Sequence, residues 1–92
     1  MEAERQLRPE DAVELNPNYH FRWEEPQQAH VLLYPEGIVK LNQTAAAILE
    51  ACTGASSIAD GTAELARRYN KRNLGAEVLK FLEVAHAKGW IR

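Results

Sequence analysis

Few side chains in this 92-residue chain could do chemistry. They are one cysteine, Cys52, three histidines, His20, His30 and His86, and a basic run of Arg67, Arg68, Lys71 and Arg72. A cysteine is a nucleophile only as thiolate. The pattern around Cys52 places it on the inner side of a helix, near its C-terminus, where dipole and apolar surroundings both raise a thiol pKa. A cysteine packed as a small hydrophobe is the plainer reading. The histidines form no pair at two- or four-residue spacing and have no acidic cluster beside them. His20 and His30 share a sheet face in the register expected below, but a zinc site needs three or four converging ligands. The five glycines form neither GxGxxG nor a P-loop. Glu24 and Glu25 fall in a turn, not in a catalytic pair. The expectation is a protein that is not an enzyme, with no catalytic residue, no metal and no cofactor.

Eleven basic and thirteen acidic side chains give a net charge of −2, which exerts no general pull toward nucleic acid or anionic lipid. With one cysteine no internal disulfide forms, which fits a reducing cytoplasm. The start, MEAERQLRPEDAVEL, is charged and has no apolar core, so it does not read as a signal peptide. The longest apolar run, Ala45 to Leu49, is far too short to span a membrane.

The elements that would position these residues follow from periodicity. Residues 1–18 are polar and broken by Pro9 and Pro17, and read as an N-terminal arm that Val13 and Leu15 can dock. Residues 19–92 form one domain. Tyr19 to Glu24 alternates aromatic and polar, which predicts a strand with one buried face. Gln28 to Tyr34 is the second strand and Ile38 to Leu41 the third. Pro35 suits a type I turn and Gly37 a left-handed bulge, which predicts a three-residue hairpin with Leu33 opposite Val39. A three-residue first turn places Trp23 opposite Ala29. One face then carries Tyr19, Phe21, Trp23, Ala29, Val31, Leu33, Val39 and Leu41, and the other His30, Leu32, Tyr34, Ile38 and Lys40.

Asn42 caps a helix over Gln43 to Cys52. Ser57 caps a second helix that runs to Tyr69, weakened at Gly61 by roughly 1 kcal/mol relative to alanine. Leu74 to Lys88 is the third, with Gly89 as its stop and Trp90 and Ile91 folding back onto the core. The fold class is α+β: a three-stranded antiparallel meander followed by three helices, winged-helix-like. That likeness raises a DNA-binding alternative. The third helix would then present Leu74, Gly75, Ala76 and Glu77 to base edges, none of which makes an arginine-like bidentate contact. The basic run from Arg67 to Arg72 is the best phosphate patch, yet positive charge also suits a helix C-terminus.

The third strand raises a separate question. Its outer edge carries free N–H and C=O groups, and its one charge, Lys40, faces outward. Either the helices shield a short strand, or an extended peptide adds to it. Ladder bonds give roughly 0.5–1.5 kcal/mol each, against about 1–2 kcal/mol per residue for ordering a peptide. Strand addition therefore also requires apolar pockets, for which Val78, Leu79, Phe81 and Leu82 of the third helix are candidates. Physics alone leaves the two readings balanced.

FRWEEPQQAHVLLYPEGIVKLNQTAAAILEACTG, from Phe21 to Gly54, resembles the core of the pyrroloquinoline quinone (PQQ) biosynthesis protein D family, PqqD. Val31 to Asn42, with Trp23 and Gln28 before it, is the most specific part. Leu65-x-x-x-Tyr69, Phe81-Leu82 and Gly89-Trp90 agree in spacing, so the resemblance covers Phe21 to Ile91. It departs at Glu77-Val78, where the family tends to have Asp-Val, and at Cys52-Thr53-Gly54, in place of a more usual Asp-Gly ending. The resemblance implies a non-catalytic peptide chaperone, the prototype of the leader-recognition domains (RiPP recognition elements) of modified-peptide pathways. It implies as partners the precursor peptide PqqA and the radical-SAM enzyme PqqE, which cross-links a glutamate and a tyrosine of that peptide. It also implies a leader lying antiparallel along the third strand, Ile38, Val39, Lys40 and Leu41, in a cleft walled by Val78, Leu79, Phe81 and Leu82. Neither nucleic acid nor membrane is an expected partner. A monomer is expected, with pairing of two edge strands or strand exchange as the route to a dimer.

Overall fold

The structure, a computed structural model, describes residues 6–92; the first five residues of the expected arm lie outside it. Three antiparallel strands, β1 (His20–Glu24), β2 (Ala29–Tyr34) and β3 (Gly37–Lys40), form one sheet in the order β1-β2-β3. Three helices follow, α1 (Gln43–Cys52), α2 (Ile58–Tyr69) and α3 (Gly75–Ala87). The expected α+β order is observed, and the helix bounds agree with those expected to within a residue. The caps explain why. Asn42 Oδ1 accepts the Ala45 N–H at 2.7 Å, and Ser57 Oγ accepts the Asp60 N–H at 3.1 Å. Each satisfies a donor that a helix start leaves orphaned. Gly89, at φ +83°, ends α3 as expected.

The register departs from expectation at both turns. Glu24 pairs with Ala29 and Trp23 with His30, because the first loop holds four residues: a 3-10 turn over Glu25–Gln27 and a left-handed Gln28 at φ +52°. The Gln28 side-chain amide donates to the Glu25 carbonyl and carboxylate, both at 2.9 Å, which holds that conformation. At the second hairpin Tyr34 pairs with Gly37 across Pro35-Glu36 alone, and Leu33 sits opposite Ile38, not Val39. Gly37 takes no left-handed conformation and makes no bulge; it begins β3. The two displacements cancel for the outer strands. Phe21, Val39 and Leu41 still face inward, and only β2 turns over. Leu32, fully buried, joins the core in place of Val31 and Leu33. Val31 lies on the outer face between its cross-strand neighbours Arg22 and Lys40. His20 and His30 consequently occupy opposite faces, and no cluster able to hold a metal ion is found among the described residues.

The inner face of the sheet packs on the helices through Leu32, Leu41, Ile48, Leu49, Leu65 and Leu82. Residues 7–16 are built into this core. Leu7 and Val13 are buried in it, Val13 bridges Thr53, and Leu15 pairs antiparallel with Ile91. Glu14 and Arg92 exchange backbone hydrogen bonds at 2.9 Å in both directions. The first N–H groups of α2, at Ile58 and Ala59, donate to the carbonyls of Asp11 and Pro9 at 2.7 and 2.8 Å. Distant chain thus satisfies the orphan donors of α2 that Ser57 does not reach. Ile91 is buried and Trp90 packs against the core, as the apolar ending led one to expect. No described helix is long and apolar enough to cross a membrane.

Candidate functional site

β3 is an edge: it pairs with β2 on one side, and no described strand lies on the other. The Leu41 N–H donates to the His30 carbonyl at 3.0 Å. Backbone groups alternate sides along a strand, so the N–H and C=O of Val39 also point to β2 and those of Ile38 and Lys40 point to the open side. Ile38 is 48% exposed, and Lys40 is exposed too. Val39 is half-buried against the core, and Leu41 is buried. Asn42 stops the strand by starting α1, so the edge is short.

A hollow of about 290 Å³ opens beside the end of this edge, between α1 and α3. Asn42, Thr44 and Ile48 line it from α1, and Glu77, Phe81 and Val84 from α3. The four α3 positions named from sequence divide. Val78 and Leu82 are fully buried and belong to the core. Leu79 is half-buried against the core and does not line the hollow, whereas Phe81 does, with its ring 6.5 Å from that of Trp90. Glu77, Lys80 and Val84 were missed, although helical spacing carries the signal. A stripe at Val78, Leu82 and Ala85 leaves the neighbouring stripe of Glu77, Phe81 and Val84 for the groove.

A larger hollow of about 430 Å³ lies across α1, and Thr44, Ile48 and Glu77 line both. Its walls are Trp23 and His30 of the first hairpin and Tyr69 and Leu74 at the α2–α3 junction. His30 stands between two aromatic rings, stacked on Phe21 at 5.1 Å and edge-on to Trp23 at 5.2 Å. The Trp23 indole N–H donates to Glu25 at 2.8 Å. That bond, which ties the indole to Glu25, and one from the Gln28 side chain hold the Glu25 carboxyl below its ordinary pKa.

Other candidate groups have structural employment. Cys52 is fully buried, and loss of hydration pushes its thiol up to about 11, which keeps it protonated and unreactive at neutral pH. Half of the basic run is paired: Arg67 with Glu64, and Arg68, at 3.6 Å in both cases, with Glu50 and Glu64. Lys71 and Arg72 follow them just past the end of α2. What the geometry offers is an edge strand, an apolar hollow at its end and a second hollow beyond.

Comparison with known proteins shows the family and the fold. Residues 29–91 match the family model described as Coenzyme PQQ synthesis protein D (PqqD). A PqqA binding protein of Methylococcus capsulatus is 44% identical over 86 residues, covering 94% of this chain and 92% of that one. A PqqA binding protein of Azotobacter vinelandii is 48% identical over 82 residues, covering 88% and 89%. The solution structure of the PqqD truncation of Methylobacterium extorquens PqqCD, a stand-alone RiPP recognition element, superposes with a TM-score of 0.77 at 24% identity, covering 94% of each chain. With most of its length matched by the family model and by these relatives, the chain belongs to the PqqD family.

Proposed function

We propose that this protein is a non-catalytic carrier of the precursor peptide PqqA in PQQ synthesis, working in the cytoplasm as a monomer. The peptide adds as a fourth strand along Ile38, Val39, Lys40 and Leu41 and is presented to the radical-SAM enzyme PqqE. The observation that carries this reading is the open edge of β3 with an apolar hollow at its end. Ile38 and Lys40 offer the ladder, and the hollow takes the apolar side chains that a ladder alone cannot replace energetically. Phe81, with Glu77 and Val84 beside it, forms the helix wall, while Val78 and Leu82 set its position from beneath. Holding peptide and enzyme on one domain makes their encounter intramolecular, which raises effective concentration without any new catalytic group.

Titration of unlabelled PqqA into isotope-labelled protein, followed by amide shifts with and without PqqE, tests this. Shifts concentrated on residues 37–42 and on the Phe81 side of α3 are expected. Shifts confined to other surfaces would remove β3 as the site.

A further inference from the structure

The larger hollow has no part in the strand-addition reading, yet it opens from the same groove. Thr44, Ile48 and Glu77 line it and the smaller hollow alike, so the two are separated only by the seam where α1 meets α3. Trp23 and Tyr69, 47% and 51% exposed, both line it and leave large aromatic surfaces in water. Its volume of about 430 Å³ falls in the range of formed binding sites, and apolar surface makes up most of its lining.

Direction decides what could reach it. If the added strand pairs antiparallel with β3, as β2 does on its other side, its N-terminal side lies at Leu41 and Asn42. Chain upstream of the paired stretch therefore leaves over the start of α1, the side on which the seam lies. We propose that the larger hollow is a second subsite of the same groove, taking an apolar, preferably aromatic, side chain from the segment N-terminal to the strand-forming stretch of the precursor. This rests on the strand-addition reading and extends it. The subsite adds affinity and fixes the register, because a strand edge alone tolerates slippage by two residues.

Two peptides separate the subsite from the strand: full-length PqqA, and PqqA lacking everything upstream of the stretch that contacts β3. Full-length peptide is expected to shift amides of both β3 and the Tyr69–Leu74 segment, and the shortened peptide those of β3 alone. Tyr69→Ala and Trp23→Ala, both at exposed positions, should each weaken full-length peptide about tenfold, the worth of one buried apolar contact, and leave the shortened peptide unchanged. Amide spectra of the free variants verify the fold. A silent hollow with a responding β3 overturns the subsite alone, as does equal weakening of both peptides. A hollow that responds only when PqqE is added assigns it to the enzyme and likewise overturns the proposal. Absence of β3 shifts with either peptide overturns strand addition itself, and the subsite with it.

Discussion

A Cβ built on Gly61 would stand 2.7 Å from the Cys52 sulfur, 2.8 Å from the Cys52 Cα and 2.9 Å from the Ala51 carbonyl oxygen. Gly61 lies inside α2, where glycine costs helix stability, and Cys52 closes α1. The glycine is there so that two helix backbones can touch.

Gly61→Ala should therefore destabilise the protein, against the roughly 1 kcal/mol that helix propensity alone would return. Two of the three clashing atoms are backbone and cannot rotate away, so overpacking of about 1–3 kcal/mol should dominate. Urea denaturation checks this. Adding Cys52→Ala should rescue little, since it removes neither backbone contact. A stabilised Gly61→Ala protein would mean that α1 and α2 are farther apart than the structure has them.

Cys52 gives a pH signature. Its thiol titrates at about 11 in the folded protein, above the ordinary thiol value near 9, so the unfolded chain loses that proton first. The resulting stability is fully present below pH 9 and is lost as pH rises through about 11. Cys52→Ala should flatten that part of the stability–pH curve, whatever it does to stability at pH 7. Thiol alkylation of the folded wild type at pH 8 should be slow and should accelerate with denaturant.

The N-terminal segment makes the sharpest contrast between sequence and structure. Removal of residues 1–18 takes Leu7 and Val13 from the core, each worth roughly 1.5–3 kcal/mol. It also strips Ile58 and Ala59 of their acceptors at the start of α2. The shortened chain should unfold at markedly lower urea than the full chain, and α2 amides should lose hydrogen-exchange protection first. Equal stability would make the segment an appendage.

The helices were legible because their signals are local. Asn42, Ser57 and Gly89 mark ends by side-chain or backbone chemistry that needs no distant partner. The sheet was half legible. Phe21, Trp23, Val39 and Leu41 alternate cleanly, but Val31-Leu32-Leu33 is apolar throughout, so nothing in its pattern says which side faces in. The decision rested on turn chemistry, and a left-handed Gln28 is not something residue preference suggests. The arm was legible only in Val13 and Leu15, which dock it as expected; the carbonyls that Pro9 and Asp11 give to α2 are backbone groups, which sequence does not reveal. In the groove, β3 could be found from its missing neighbour. On α3, helical spacing groups Val78 with Leu82 and Glu77 with Phe81 and Val84, but which stripe faces the core is fixed by the packing of the fold.

The open edge permits a substitution that separates fold from function. The Lys40 N–H points away from β2, so proline there removes no bond of the existing ladder; edge strands accept proline at such positions. It does remove a donor that an added strand would use. Lys40→Pro should keep the native amide pattern and much of the stability, while PqqA affinity falls about tenfold or more from one lost ladder bond and the local steric block. Lys40→Ala is the control: it loses the charge but keeps the N–H, and should bind within a fewfold of wild type. Isothermal titration of both variants, alongside their spectra, distinguishes the cases. Full binding by a folded Lys40→Pro protein would mean that the peptide does not pair with β3, and equal loss in both variants would assign the contact to the ammonium group.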